Sequence, residues 1–178
     1  MMGVGFVKIF INPGHDIRLD SGAVNPIFGL KECDVVLSIG ETLQNILLSN
    51  NNQVYLLQSD NLASVVTTAN NWQADIFISL HCNAANRTAH GTETLVYKYG
   101  GMAERLATLI QDSIVSSLGT TNRGVKERPN LIVLNSTSMP AVLIELAFID
   151  QEDDVNKLIN CQEEFALAIY QGVKNFFE

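Results

Sequence analysis

Ala141-Val142-Leu143-Ile144-Glu145-Leu146-Ala147-Phe148-Ile149 is an apolar run broken by a single carboxylate. Such a run reads as a central strand covered on both faces, the pattern of a parallel sheet with helices above and below it. A lone carboxylate is costly to bury there. The strand tolerates Glu145 only near its end, where a site opens, or beside a buried base.

The same alternation of strand and helix extends outward in both directions. Strand patterns cover residues 6–11, 53–58, 75–81, 92–98, 131–134 and 141–147, and helical patterns cover 32–48, 62–71, 102–118 and 161–177. The rhythm predicts an α/β fold: a twisted, mostly parallel six-stranded sheet with four to six helices on both faces. No internal repeat or Ser/Pro-rich linker divides the chain, and 178 residues with 47% hydrophobic content suit one domain over residues 1–178.

Composition narrows the function classes. A net charge of -8 without clustered Lys and Arg argues against nucleic-acid binding. Apolar runs are strand-length, short of the ~18 residues of a membrane span. Met1-Met2-Gly3-Val4-Gly5-Phe6-Val7-Lys8 lacks the features of a secretory signal. Cys33, Cys82 and Cys161 have no paired spacing, so no disulfide framework is expected, and strand alternation points Cys82 away from His81.

The helix over 32–48 carries the functional argument. Val35, Val36, Ile39, Leu43, Ile46 and Leu47 recur at the spacing of one buried face, and four positions back from Val36 that face reaches Glu32. A carboxylate on a buried stripe needs a cation, or serves the helix dipole in its first turn. His15 follows the first strand through Asn12-Pro13-Gly14, and His81 closes the third. Open α/β sheets bind ligands at such carboxyl ends of strands. Each residue alone has an ordinary structural explanation; together, two imidazoles and a carboxylate form a common three-ligand set for catalytic zinc. Zinc would polarise a carbonyl and activate water, with Glu145 passing the proton to a leaving nitrogen. Asp16, Asp20 and Asp34 are the other carboxylates near the first ligand, none with both the helical phase and the apolar surroundings of Glu32, and His90 reads as a solvated loop residue.

These residues lie in Asn12-Pro13-Gly14-His15, Leu30-Lys31-Glu32, Phe77-Ile78-Ser79-Leu80-His81-Cys82-Asn83 and Met139-Pro140-Ala141-Val142-Leu143-Ile144-Glu145. In that order they resemble the motifs of the zinc-dependent N-acetylmuramoyl-L-alanine amidases of the type-3 family, from about Val7 to Phe177. The resemblance implies a phosphorylase/hydrolase-like fold and one Zn2+ per chain on His15, Glu32 and His81. It implies catalysis by Glu145 and hydrolysis of the amide joining N-acetylmuramic acid to L-alanine of the peptidoglycan stem peptide. Asn83, Arg123 and Lys126 are candidate stem-peptide contacts, Arg and Lys being suited to its carboxylates. The expected protein is a monomer acting on the wall outside the cytoplasmic membrane. It would be an endolysin released by a holin or the catalytic part of a longer secreted autolysin, with no wall-binding domain in this chain.

Four stretches depart from the family pattern: Asp16 replaces a Gly, Ala147 replaces a Gly, Gln58-Ser59-Asp60 replaces a Thr-Arg start, and no Arg precedes Ala69-Asn70. Many members carry a helical insertion over the zinc. The short intervals 83–91 and 25–32 predict none here. A zinc exopeptidase and a wall-binding module without turnover remain the competing readings at this stage.

Overall fold

The computed structural model describes residues 6–178. The N-terminal stretch read for a secretory signal therefore lies, through Gly5, outside the described residues. Six strands form one sheet: β1 (Lys8–Pro13), β2 (Gln53–Leu56), β3 (Ile76–Asn83), β4 (Thr92–Val96), β5 (Asn122–Glu127) and β6 (Ala141–Phe148). Their spatial order is β2-β1-β3-β6-β4-β5. All neighbours are parallel except β4 and β6, so β4 and β5 run against the other four strands.

The helices are α1 (Glu32–Ser49), α2 (Leu62–Trp72), α3 (Met102–Leu118), α4 (Ile132–Asn135), α5 (Glu152–Asn160) and α6 (Gln162–Phe177). Strand alternation divides the core between the sheet's faces. Ile9, Ile11, Ile76, Ile78, Val142 and Ile144 join the apolar stripes of α1, α3 and α6 in the larger layer. Phe10, Phe77, Ala141, Leu143 and Leu95 pack under α2 and α4 in the smaller one. Cys82 belongs to the larger layer, on the face expected for it, and all three cysteines are free.

Two sequence expectations need correction. Residues 131–134 do not form a strand; from Ile132 they form α4, whose Val133 and Leu134 bury against the smaller layer. A short all-apolar run fits a buried turn of helix as well as a strand. The sixth strand is instead β5, an edge strand of half-exposed polar residues without apolar alternation. The helix α5 also went unread, its buried apolar residues being only Val155 and Leu158.

On the smaller face, side chains change in rows along the strand direction. Tyr55, Phe10 and Phe77 stack side by side at 5.2 and 5.5 Å. The next row brings Asn12 beside Ser79, whose hydroxyl donates to the Asn12 side chain at 3.0 Å. The last row sets His81 opposite Glu145, and Glu145 opposite Glu93. The aromatic rows are covered; the charged row lies at the strand ends.

On the larger face the helices approach closely. A Cβ on Gly172 of α6 would lie 2.6 Å from the Ile110 Cα of α3. Gly172→Ala must push two helix backbones apart. Overpacking of this kind costs about 1–3 kcal/mol, to be read as a lower denaturant midpoint with an unchanged slope.

Candidate metal centre

β1 ends where the Gly14 amide donates to the Leu80 carbonyl at 2.9 Å, and the chain then turns through His15. His15 has φ 63, a left-handed conformation uncommon outside glycine. It is held there by reciprocal backbone bonds between Asp16 and Asp20 at 3.0 Å and by its own Nδ1 against Asp20 Oδ2 at 2.8 Å. That contact fixes the ring and leaves Nε2 facing inward.

Glu32 opens α1 and is 3% exposed, in phase with Val36 as the periodicity predicts. Its Oε2 accepts from the Ala23 amide at 2.9 Å and its Oε1 from the Cys82 amide at 3.0 Å. Oε1 also meets His15 Nε2 and His81 Nδ1, each at 3.1 Å. The two imidazoles stand edge to face, centroids 5.2 Å apart. One donor atom from each residue lies within 4.8 Å of the others, a spacing that a single metal ion spans.

The surroundings fit such an ion. A Cβ on Gly14 would stand 2.3 Å from His81 Cε1, and one on Gly22 would stand 2.6 Å from Glu32 Oε2 and His15 Cδ2. Only glycine allows the His15, Glu32 and His81 side chains to occupy these places. Burial alone would raise the Glu32 carboxyl, but bonds from His15, His81 and the Cys82 and Ala23 amides outweigh it and hold the group well below the usual range. The Glu32 contact, reinforced by Asp20 against the opposing effect of burial, raises His15 to about 9. Without a cation, the pair balances its charge with a proton on His15.

Beside this centre, Glu145 sits opposite His81 on the adjoining strand. Its Oε2 is buried without a hydrogen-bond partner. Burial raises the Glu145 carboxyl to about 7, with Glu32 and Glu93 adding to the rise and His81 and His15 opposing it. Among the described residues no buried base neutralises it, which removes one of the two structural explanations that its sequence context allows.

The structure brings Arg123 and Lys126 together on a residue the sequence reading passed over. Glu93 is 5% exposed, and its Oε2 accepts from Arg123 Nε at 2.7 Å and from Lys126 Nζ. The Asn83 side chain accepts from the Ala84 amide at its own loop, and His90 is exposed. Gln58, singled out only as a departure from the family pattern, donates to the Gly14 carbonyl at 3.1 Å and to the Cys33 carbonyl at 2.9 Å. One amide thus ties the backbone next to His15 to the backbone next to Glu32. His15, Asp20 and Asp60 form a second close group, but it shares His15, and Asp20 already engages the His15 Nδ1. No helix intervenes between β3 and β4 among the described residues, and the two imidazoles keep 24% and 21% side-chain exposure.

A family model described as N-acetylmuramoyl-L-alanine amidase matches residues 9–175. The chain belongs to that family. It is 36% identical over 178 residues to the uncharacterized protein YqiI of Bacillus subtilis, covering 96% of this chain and 84% of that protein. It is 37% identical over 179 residues to the sporulation-specific N-acetylmuramoyl-L-alanine amidase of the same organism, covering 97% and 67% respectively. Other relatives are longer, and the chain spans 35% of two of them. The crystal structure of the N-acetylmuramoyl-L-alanine amidase of Clostridium difficile 630 superposes with a TM-score of 0.88 at 32% identity, covering 97% of both chains. The amidase family is zinc-dependent, and its reaction, hydrolysis of the bond between N-acetylmuramic acid and L-alanine in peptidoglycan, is the reaction of this chain.

A metal held by His15 would displace its proton. Zinc titrated into the metal-free amidase at pH 7 should release about one proton, and none from this group well above pH 9, measured calorimetrically in buffers of different ionisation enthalpy. The sign follows for stability. A histidine raised from 6.5 to about 9 stabilises the metal-free fold fully below pH 6.5, and this contribution is lost as the pH rises through about 9.

Proposed function

We propose that His15 Nε2, Glu32 Oε1 and His81 Nδ1 hold one zinc ion per chain and that Glu145 is the residue that moves the proton in hydrolysis of the muramyl–alanine amide. The observation that carries this reading is the convergence of two imidazoles on one buried carboxylate oxygen, with a second, unpartnered carboxylate on the next strand. When bound, zinc supplies Lewis acidity, which polarises an amide carbonyl and brings the pKa of a water to ~7.

The chain's own groups do the rest. Asp20 orients His15, the Cys82 and Ala23 amides orient Glu32, and the glycines at 14 and 22 leave room for the ligand side chains. Glu145, desolvated and unpaired, accepts the proton of the attacking water and delivers it to the departing alanine nitrogen. The products are the denuded glycan and a peptide with a free L-alanine amino terminus. Asn83 at the end of β3, and Arg123 and Lys126 on β5, face the stem peptide.

The donor set comes from a single chain, which supports a monomeric enzyme. The described elements form one sheet with its helices, which supports a single catalytic domain over the described residues. No helix among the described residues is long and apolar enough to cross a membrane. We place the site of action on the wall outside the cytoplasmic membrane, reached by release during lysis or as part of a longer secreted protein.

The direct test is mass spectrometry of purified peptidoglycan incubated with the protein, with and without a chelator. Peptides with a free alanine amino terminus should appear, vanish on chelation and return with zinc; cuts confined to the peptide would contradict the reading. Glu145→Gln should lower the rate by ~10²-fold or more with zinc content unchanged, whereas His15→Ala should lose the metal. Because Glu145 works deprotonated and stands at about 7 in the metal-free protein, a bound cation should hold it at or below that value. Activity should therefore fall on the acid side of about 7, and this limb should be absent from the residual rate of Glu145→Gln.

A further inference from the structure

The charged row does not stop at Glu145. Glu93 comes next on β4, and β5 beyond it contributes Arg123 and Lys126. These two cations lie three residues apart yet share a face, because the β4–β5 register steps from Thr92↔Asn122 to Thr94↔Val125. The extra residue forms a bulge at Gly124, where φ is 77, and turns both side chains toward Glu93.

Two cations on one carboxylate oxygen leave a surplus positive charge. Arg123 and Lys126 are each about a third exposed (32% and 31%), against 7% for the Glu93 side chain they contact. The Arg123 guanidinium also lies 4.8 Å from the Phe148 ring centroid. It is thus held through Nε on one side and against an aromatic face on the other. Among the described residues its terminal nitrogens have only a 3.5 Å contact from Nη1 to the His90 carbonyl. An arginine fixed in this way presents a preorganised N–H edge to a carboxylate. The opposite end of the site, around His15, carries Asp20 and Asp60 instead. In a chain of net charge -8, the site is acidic at one end and basic at the other.

We propose that Arg123 and Lys126, organised by Glu93, form an anion subsite for the free α-carboxylate of the stem-peptide residue that follows L-alanine. The enzyme therefore prefers peptidoglycan in which that carboxylate is free over peptidoglycan in which it is amidated. The inference rests on the amidase reading above. The reach is consistent with it. Extended chain covers about 3.3–3.6 Å per residue, which puts that carboxylate about 7 Å from the scissile nitrogen. Proton transfer holds this nitrogen within about 3 Å of Glu145. β5 lies two strands from β6, about 10 Å at the usual spacing. A peptide running from Glu145 across β4 meets Arg123 at its second residue. An amide at that position offers no charge and replaces one acceptor oxygen with an N–H donor group.

The test compares two soluble, uncross-linked peptidoglycan preparations differing only in whether that carboxyl is free or amidated. The readout is the rate of appearance of alanine amino termini. The zinc-loaded enzyme should show a kcat/KM about tenfold higher for the free acid, with the preference shrinking as salt rises. Arg123→Leu should bring the ratio toward one. Glu93→Gln, which frees both cations from the carboxylate that positions them, should lower it. A residue that merely supported the fold would lower both rates together and leave the ratio alone. Equal rates for the wild-type enzyme on the two substrates, an unchanged ratio in Arg123→Leu, or a higher ratio in Glu93→Gln would each overturn the subsite while leaving the reaction intact. Release from neither substrate would instead contradict the amidase reading itself.

Discussion

One oxygen atom, Glu32 Oε1, is the point on which this structure turns. It receives His15 Nε2, His81 Nδ1 and the Cys82 amide, all within 3.1 Å, from two segments distant in sequence from each other and from Glu32. For that to happen, α1 must begin with its first residue in phase with the buried stripe. β1 must end in a tight turn, and β3 must deliver an imidazole to the sheet face opposite its isoleucines. A carboxylate buried this deeply is expensive unless cations and hydrogen bonds answer it. The surrounding sequence supplies both: glycines where side chains would collide, Asp20 behind His15, and Gln58 joining the two loops.

The sheet separates stability from chemistry by distance along its strands. Stacked aromatic rings occupy the covered part of the smaller face, a buried Asn12–Ser79 pair comes next, and the titratable row lies at the end. The helices of the larger face bury aliphatic side chains the whole way and make no demands on the site. This division lets the strand ends hold a row of titratable and charged side chains without loss of core. It also explains why Glu145 interrupts an otherwise apolar strand where it does: the row it belongs to is the one that α2 and α4 do not cover.

Much of this was legible before the structure. The stripe of α1 located Glu32, the two histidines stood at strand ends, and the apolar runs of β3 and β6 announced a covered parallel sheet. What escaped the sequence was how β4 and β5 bring Arg123 and Lys126 together on Glu93. Arg123 and Lys126 share a face only because of the bulge at Gly124, and no period of two or of 3.6 reveals such a pair. Glu93, within Thr-Glu-Thr-Leu-Val, looks like an ordinary outward carboxylate. It becomes buried because β4 lies between β6 and β5, an arrangement set by long-range pairing. The apolar run ending at Leu134 misled for the converse reason, since its burial under α2 satisfies helix and strand alike.

The most direct measurement is an anomalous difference map, collected at the zinc edge, from crystals of the zinc-loaded protein. A single peak about 2.0–2.2 Å from His15 Nε2, Glu32 Oε1 and His81 Nδ1, with Glu145 facing it from the next strand, is the predicted result. A map without density there, or with its peak among His15, Asp20 and Asp60 instead, would contradict the account.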